Sequence, residues 1–561
     1  MDDVDAVQAQ IARNMLHSGD WVTARLDGIK YLEKSPLKYW MIAICFKLFG
    51  VHDWVARIPV ALSAILLCWL VARMARWAFS DRAGLYAGLA LATCVGLFLF
   101  TRILIPDVVL TLTITLAMWA FLRTLDDQEA RPAVWSAIFG ASVGTGLLLK
   151  GLIAAVFPLA AAGLYLTFTS QLANRNVWRR LRLFRSAAIA LIIAAPWHIL
   201  ATIRNPPYFY WSMRSGPGQY HGFFWFYFIN EHVLRFLNLR FPRDYNTVPR
   251  AYFWLFHLLW LFPWSVFLPA AFRSLRGLSI RDRAGRMRLL ALCWAGFILA
   301  FFTFSSTQEY YSMPAYPALA LLIGAALDSE DRWIAYGRRA LTVIAAAAAL
   351  AVAAILIAVR GTPTPGDISN ALVQNPELYT LSLGHMGDLT LRSFAYLRLP
   401  LGLAGVAFIV GAISSWKWSG VRAALSVAAM MALFFHAARL AMVVFDPYMS
   451  SRALADALMK APAGKLILDD QYYTWSSVIF YTNRTALLLN GRVNNLEYGS
   501  NDPDAPRDVF IGDRDFRRLW ASPERCYILV EKPSVARIAS LAGAPLRLVA
   551  ESGGKYLFVN H

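Results

Sequence analysis

The chain has 561 residues, of which 58% are hydrophobic and only 16% charged, with a mean hydropathy of +0.47. That composition excludes an ordinary soluble domain and points to a polytopic α-helical membrane protein. The formal charge of +19 does not indicate nucleic acid, because Lys and Arg occupy short loops between apolar runs, a pattern that sets membrane topology. The five cysteines have no paired spacing that implies a disulfide framework or zinc ribbon.

Residues 1–53 form a first loop that opens on Asp2, Asp3 and Asp5 and ends with Glu33 and Lys34 before an apolar body. Within it, 6–16 has the one-sided apolar pattern of a helix lying in the membrane interface. No cleavable signal peptide is visible at the acidic start, and a further membrane helix is expected to precede residue 1. Apolar stretches of spanning length follow near 54–79, 83–101, 106–125, 134–149, 150–169, 186–203, 252–273, 288–305, 313–328, 340–359, 397–415 and 421–445.

Two strongly basic loops, around Arg175–Arg185 and Arg273–Arg288, are an even number of spans apart and both belong on the cytoplasmic side. The same count puts 80–83, 126–133, 329–339 and 416–420 with them. Loops 1–53, 102–106, 204–251, 306–312, 360–396 and the tail after 445 then lie on the opposite side. The domain organisation is thus a first loop with juxtamembrane helices (1–53), a transmembrane domain (54–445) carrying a long loop at 204–251, and a small α/β domain (446–561). The tail is expected to hold strands at KLILDD, SVIFYT, ALLLNG, CYILVEK and KYLFVN and a helix near 533–542.

Ionisable groups at a membrane face are costly unless paired or functional, so they are the site candidates. Asp107 falls in the first turn of a helix begun by Pro106, where an acid also complements the helix dipole. Lys150 sits in LLLKGL at a junction of two spans, where a snorkelling lysine would also sit. Glu231, His232 and Arg235 belong to an amphipathic, aromatic stretch at 222–238. A hydrogen-bonded Glu231–His232 pair is favoured there over a metal site, and Glu33 with His232 would offer a metal two ligands at most. Glu309, Tyr310 and Tyr311 precede a Pro-interrupted span. Together these segments deliver carboxylates, amines and aromatics to one level, the combination needed to hold an anionic amphipathic substrate.

The stretch SGDWVTARLDGIKYLEKSPLKYWM resembles the first loop of the lipid A aminoarabinose transferases, which belong with the protein O-mannosyltransferases in the C-type glycosyltransferase superfamily. RILIPDVVLTL, LLKGLIAAVFP, FINEHVLRFL and QEYYSMPAYPALALL extend the resemblance, in order, over about residues 1–327. It implies a fold of about thirteen membrane helices with a small periplasmic domain. The implied reaction is inverting transfer of a sugar from a polyprenyl-phosphate donor on the periplasmic side of the bacterial inner membrane. A lipid A-type acceptor is favoured, and a Ser or Thr hydroxyl of a protein is the alternative. A lipid or sugar transporter is the alternative of a different class, disfavoured by the absence of an evident inverted repeat.

By resemblance, Asp107 is an active-site acid, Glu33 and His232 a metal pair for Zn, Mg or Mn, and Lys34 a contact to the lipid phosphate. Lys150 and one of Tyr310 and Tyr311 line the donor pocket, and Arg235 is a second phosphate contact on charge grounds. A gapless alignment puts Val4-Asp5 where the family has Asp-Glu, whereas Asp2-Asp3 match only through an insertion. The principal first-loop carboxylate is one of Asp2, Asp3 and Asp5. The loop PYFYWSMRSGPGQYHG looks inserted relative to the family.

Overall fold

A computed structural model describes residues 1–243, 249–305, 308–329, 331–373, 375, 383–543 and 545–561. Parts of the loops expected at 204–251, 306–312, 329–339 and 360–396 lie outside these. Every apolar stretch expected to span is helical. Among the described residues nine helices, from Asp53–Ala78 to Gly420–Met449, are long and apolar enough to cross a membrane unaided. The remaining three expected spans are interrupted or short. Residues 83–101 divide into Asp81–Ala92 and Val95–Phe100, and 252–273 into Arg250–Trp260 and Trp264–Arg273, bent by 96°. Ile153–Phe168 is apolar but has only 16 residues, about 24 Å of helix at 1.5 Å per residue.

Helix Asp107–Leu125 is central to the bundle, buried for 78% of its apolar window, second among the described spans to Glu309–Leu327 at 83%. It packs against Pro132–Lys150, Ile58–Ala78 and Ile153–Phe168. Glycine permits the closest approach: a Cβ on Gly140 would collide with the Ser186 backbone of the neighbouring helix.

One end of the bundle is stitched by ion pairs between the loops expected to lie together. Arg180 reaches Asp127 at 2.9 Å, Arg283 reaches Asp126 at 2.7 Å and Arg273 reaches Asp331 at 3.3 Å, while Ser80 donates to Asp328 at 2.6 Å. The first loop, residues 205–243 and the C-terminal domain gather at the other end.

Within the first loop, helix α1 (Asp3–Ser18) is not an interfacial helix. It is buried on nearly all sides, and packs on helix α2 (Leu37–Phe49) and on Ser476–Thr482 of the C-terminal domain. The polar side chains that suggested a wet face are engaged instead: Gln8 accepts from Lys38 Nζ and Tyr39 Oη, and Gln10 donates to Asn14. A two-residue hairpin, β1 (Arg25–Leu26) and β2 (Ile29–Lys30), joins α1 to α2.

The C-terminal domain is a six-stranded mixed sheet in the order β5-β4-β3-β6-β8-β7, with β3 Lys465–Asp469, β4 Leu487–Leu489, β5 Phe510–Ile511, β6 Cys526–Glu531, β7 Arg547–Ser552 and β8 Lys555–Val559. The expected helix is found at Val535–Ala542. SVIFYT, expected as a strand, lies in helix Ser476–Thr482. A short apolar run does not distinguish strand from buried helix, and parallel β3 and β4 require a crossover between them, usually helical.

The domain is fastened to the first loop by buried charge. Lys555 Nζ lies 2.6 Å from Asp3 Oδ2, and Asp3 also accepts from Ser477 N at 2.9 Å and Ser451 Oγ at 3.2 Å. Lys30 pairs with Asp502 in the same way. Removing one partner of a buried pair leaves the other uncompensated. Lys555→Met is therefore expected to destabilise the protein by about 3 kcal/mol, read as a lowered unfolding midpoint in detergent. An unchanged midpoint would show that the clasp does not hold the domain.

Candidate functional site

Three elements converge at the loop-rich end. From the bundle, Asp107 opens the central helix and is 1% exposed, and Lys150 ends the next helix with Nζ 2.5 Å from Asp107 Oδ1. Nζ also lies over the rings of Tyr311 at 4.3 Å and Tyr310 at 5.5 Å. The 222–238 stretch folds as a short α-turn and then a π-helix, Trp225–Leu234. Such wide turns are rare and frequently found at functional sites. This one carries Glu231, and Arg235 follows it directly.

Arg235 lies 2.7 Å from Glu231 Oε2 and donates to Tyr311 Oη at 2.9 Å. Arg240, buried, binds Glu231 Oε1 on one side and Glu33 Oε1 on the other, the latter at 2.8 Å. Glu33 in turn holds Lys34 Nζ at 3.4 Å and accepts from Tyr31 Oη at 3.0 Å. One motif recurs three times: a buried carboxylate behind a partly exposed cation, as Asp107 with Lys150, Glu231 with Arg235 and Glu33 with Lys34. Two of these cations meet at one phenol, Arg235 through Tyr311 Oη and Lys150 over its ring, and Lys34 joins them through the Glu33–Arg240–Glu231 chain.

Burial alone would raise the Glu231 carboxyl, but the guanidiniums of Arg240 and Arg235 outweigh it and hold it down at about 2. Burial lowers His232, and its ring is already spent: Nδ1 lies 2.6 Å from Tyr227 O, as a donor, and Nε2 accepts from Leu152 N at 3.1 Å. This contact requires Gly151, whose φ is +69° and whose Cβ, if present, would strike the imidazole. Glu33 and His232 therefore do not fit the expected two-ligand metal site. The imidazole has no lone pair to give, and Glu33 already serves Arg240, Lys34 and Tyr31. Nor are Glu231 and His232 the hydrogen-bonded pair expected from the sequence. Among the described residues no group of three or more His, Cys, Asp or Glu side chains is arranged to hold a metal.

The three first-loop aspartates have different surroundings. Asp2 caps α1, accepting from Asp5 N at 2.8 Å, and burial together with the nearby Asp5 pushes its carboxyl up to about 7. Asp3 belongs to the clasp with Lys555. Asp5 faces the bundle: fully buried, it accepts from Leu104 N at 2.6 Å and pairs with Arg57 at 2.5 Å. Burial raises its carboxyl and Arg57 opposes the rise.

Lys38, absent from the sequence candidates, is buried and donates Nζ to Gln8 Oε1 at 2.5 Å. Burial and then Lys34 push its ammonium down to about 7, against Asp107, Asp5 and Glu33. Arg240 was also missed. Lys38 lies inside EKSPLKYW, the stretch that carries the resemblance, and that was its one available signal; nothing in RFPRDY distinguishes Arg240 from Arg243.

The ion-pair network predicts a pH dependence. Glu231 is depressed from 4.5 to about 2, so its stabilisation is fully present above pH 4.5 and is lost as pH falls from there towards 2. Glu231→Gln is expected to cost about 3 kcal/mol at pH 7. Its deficit against the wild type should narrow as pH falls through that window, followed by thermal unfolding in detergent. A deficit independent of pH would contradict the assignment.

Comparison with known proteins bears on the sequence and on the fold. The family described as dolichyl-phosphate-mannose-protein mannosyltransferase matches residues 33–200. The undecaprenyl phosphate-alpha-4-amino-4-deoxy-L-arabinose arabinosyl transferase of Aeromonas salmonicida is 30% identical over 56% of this chain and 54% of its own length. A transferase of the same name from Pseudomonas fluorescens is 28% identical over 88% of this chain and 79% of its own length. Against the first of these the chain spans only about half the relative. The crystal structure of ArnT from Cupriavidus metallidurans bound to undecaprenyl phosphate superposes with a TM-score of 0.79 at 24% identity, covering 99% of this chain and 93% of that one. The chain thus has the polytopic C-type glycosyltransferase fold, and in sequence it is similar to the undecaprenyl-phosphate aminoarabinose transferases.

Proposed function

We propose that the protein is an inverting glycosyltransferase of the bacterial inner membrane, with its site facing the periplasm. It would move 4-amino-4-deoxy-arabinose, or a closely related sugar, from undecaprenyl phosphate to a lipid A-type acceptor. The observation that carries this reading is the set of three partly exposed cations, Lys34, Lys150 and Arg235, each set against a buried carboxylate and two of them meeting at Tyr311, at the loop-rich end of a bundle of apolar helices. A phosphate on a long hydrocarbon tail needs this pairing of charge and grease. Similarity to the arabinosyl transferases, whose names give the donor, supports the choice.

In this reading the anomeric C–O bond to phosphate breaks while an acceptor oxygen bonds to the same carbon from the opposite face. The departing phosphate gains negative charge, which Lys34, Lys150 and Arg235 stabilise more strongly than in the ground state. Asp107 and Asp5 are the carboxylates assigned to the acceptor, Asp5 being preferred in the first loop because it faces the bundle at Leu104 and Arg57 whereas Asp2 caps a helix and Asp3 binds Lys555 of the C-terminal domain. A hydroxyl acceptor gives its proton to one of them; an ionised phosphate acceptor has none to give. The carboxylates then orient it.

A second reading is transfer of mannose to a Ser or Thr hydroxyl, favoured by the mannosyltransferase match at 33–200. The two separate in one assay of the purified protein. Undecaprenyl-phosphate aminoarabinose with lipid A should give a mass-shifted lipid A, whereas polyprenyl-phosphate mannose with a Ser/Thr peptide should give none. Asp107→Asn should lower transfer by at least about 100-fold with the protein still folded. Full activity in that variant, or glycosylation of the peptide alone, would overturn the first reading.

A further inference from the structure

Glu33 is supported from outside the membrane bundle. Tyr473 lies in a single turn of 3-10 helix, Tyr472–Trp475, that follows the carboxyl end of β3 in the C-terminal domain. Trp475 fixes that turn: it is fully buried and donates Nε1 to Asp469 O at 3.0 Å. The Tyr473 hydroxyl then reaches into the first loop and meets the Tyr31 hydroxyl at 2.7 Å.

The direction of these bonds follows from counting protons. Tyr31 has one hydroxyl proton, and it goes to Glu33 Oε2 at 3.0 Å, since a carboxylate can only accept. In the Tyr31–Tyr473 contact Tyr473 is therefore the donor. Asn495, also of the C-terminal domain, donates Nδ2 to Tyr473 Oη at 2.9 Å and, at a longer 3.4 Å, to Tyr31 Oη. The chain runs one way, from Asn495 through Tyr473 and Tyr31 to Glu33, and each bond polarises the next. It ends on Oε2, the oxygen that also holds Lys34 Nζ at 3.4 Å. Arg240 fixes Oε1, so the Tyr473 chain fixes the remaining oxygen, against which Lys34 is set.

We propose that Tyr473 is a positioning residue for the donor phosphate, setting Lys34 through Tyr31 and Glu33, and that the C-terminal domain is a working part of the site. The inference rests on the donor-binding reading above. Docking of the domain does not depend on this hydroxyl, because Asp3–Lys555 and Lys30–Asp502 hold it independently. Tyr481 offers a control. Its hydroxyl crosses the same interface, to Asp53 at 3.1 Å, without leading to Glu33.

The test is binding of undecaprenyl phosphate to the purified full chain by native mass spectrometry, for wild type, Tyr473→Phe, Tyr31→Phe, the double variant and Tyr481→Phe, with unfolding midpoints alongside. Tyr473→Phe should weaken binding roughly five-fold, the worth of one hydrogen bond, at an unchanged midpoint. The double variant should bind no worse than Tyr31→Phe alone, and Tyr481→Phe should bind as wild type. Wild-type affinity in Tyr473→Phe, equal weakening in Tyr481→Phe, or independent effects of Tyr31 and Tyr473 would each overturn the proposal. A wild type that binds no undecaprenyl phosphate would overturn the functional reading as well.

Discussion

The site depends on carboxylates that are buried behind the cations they hold. A bare Lys or Arg at a membrane face would turn to water or to lipid headgroups. Here Asp107, Glu231 and Glu33 sit in the low-dielectric interior and hold Lys150, Arg235 and Lys34 at fixed positions. The buried charge is tolerable only because each anion is paired, Glu231 and Glu33 with two cations apiece. Arg240 makes two of the three pairs into one unit, since its guanidinium spans Glu231 and Glu33. The first loop and the π-helical segment are thereby locked to each other, and the cations are placed before any ligand arrives.

That constraint also explains the surrounding architecture. The π-helix brings Glu231 inward while Arg235, one residue past its end, reaches Tyr311. The tight passage at Gly151 lets His232 brace the end of the Lys150 helix by accepting from Leu152 N. The imidazole that looked like a ligand is a strut. Likewise α1, whose polar residues suggested a wet face, is packed between the bundle and the C-terminal domain, because that is where its aspartates and glutamines find partners.

Much of this was legible in the chain. The apolar runs located all nine helices that, among the described residues, are long and apolar enough to cross a membrane, and the basic loops grouped the ends as the ion pairs do, through charges such as Arg180 and Arg283. Asp107 and Lys150 stood out because an acid after Pro106 and a lysine at a span junction are costly there without a partner, and each proved to be the other's. What could not be read was contact at long sequence separation. Glu33 and Arg240, or Tyr31 and Tyr473, are brought together only by the fold. Nor could composition distinguish a π-turn from an α-turn at 225–234, or a crossover helix from a strand at SVIFYT. Nor could the sequence show that Asp2 caps a helix, that Asp3 binds Lys555 and that Asp5 pairs with Arg57.

The central claim is that Lys34, Lys150 and Arg235 form one phosphate site around Tyr311. It is tested most directly by a cryo-electron microscopy structure of the protein with undecaprenyl phosphate. The account predicts the phosphate within hydrogen-bonding distance of all three cations, with the tail running along the apolar bundle. A phosphate bound elsewhere, with the Asp107–Lys150 and Glu33–Lys34 pairs facing an empty cleft, would contradict it.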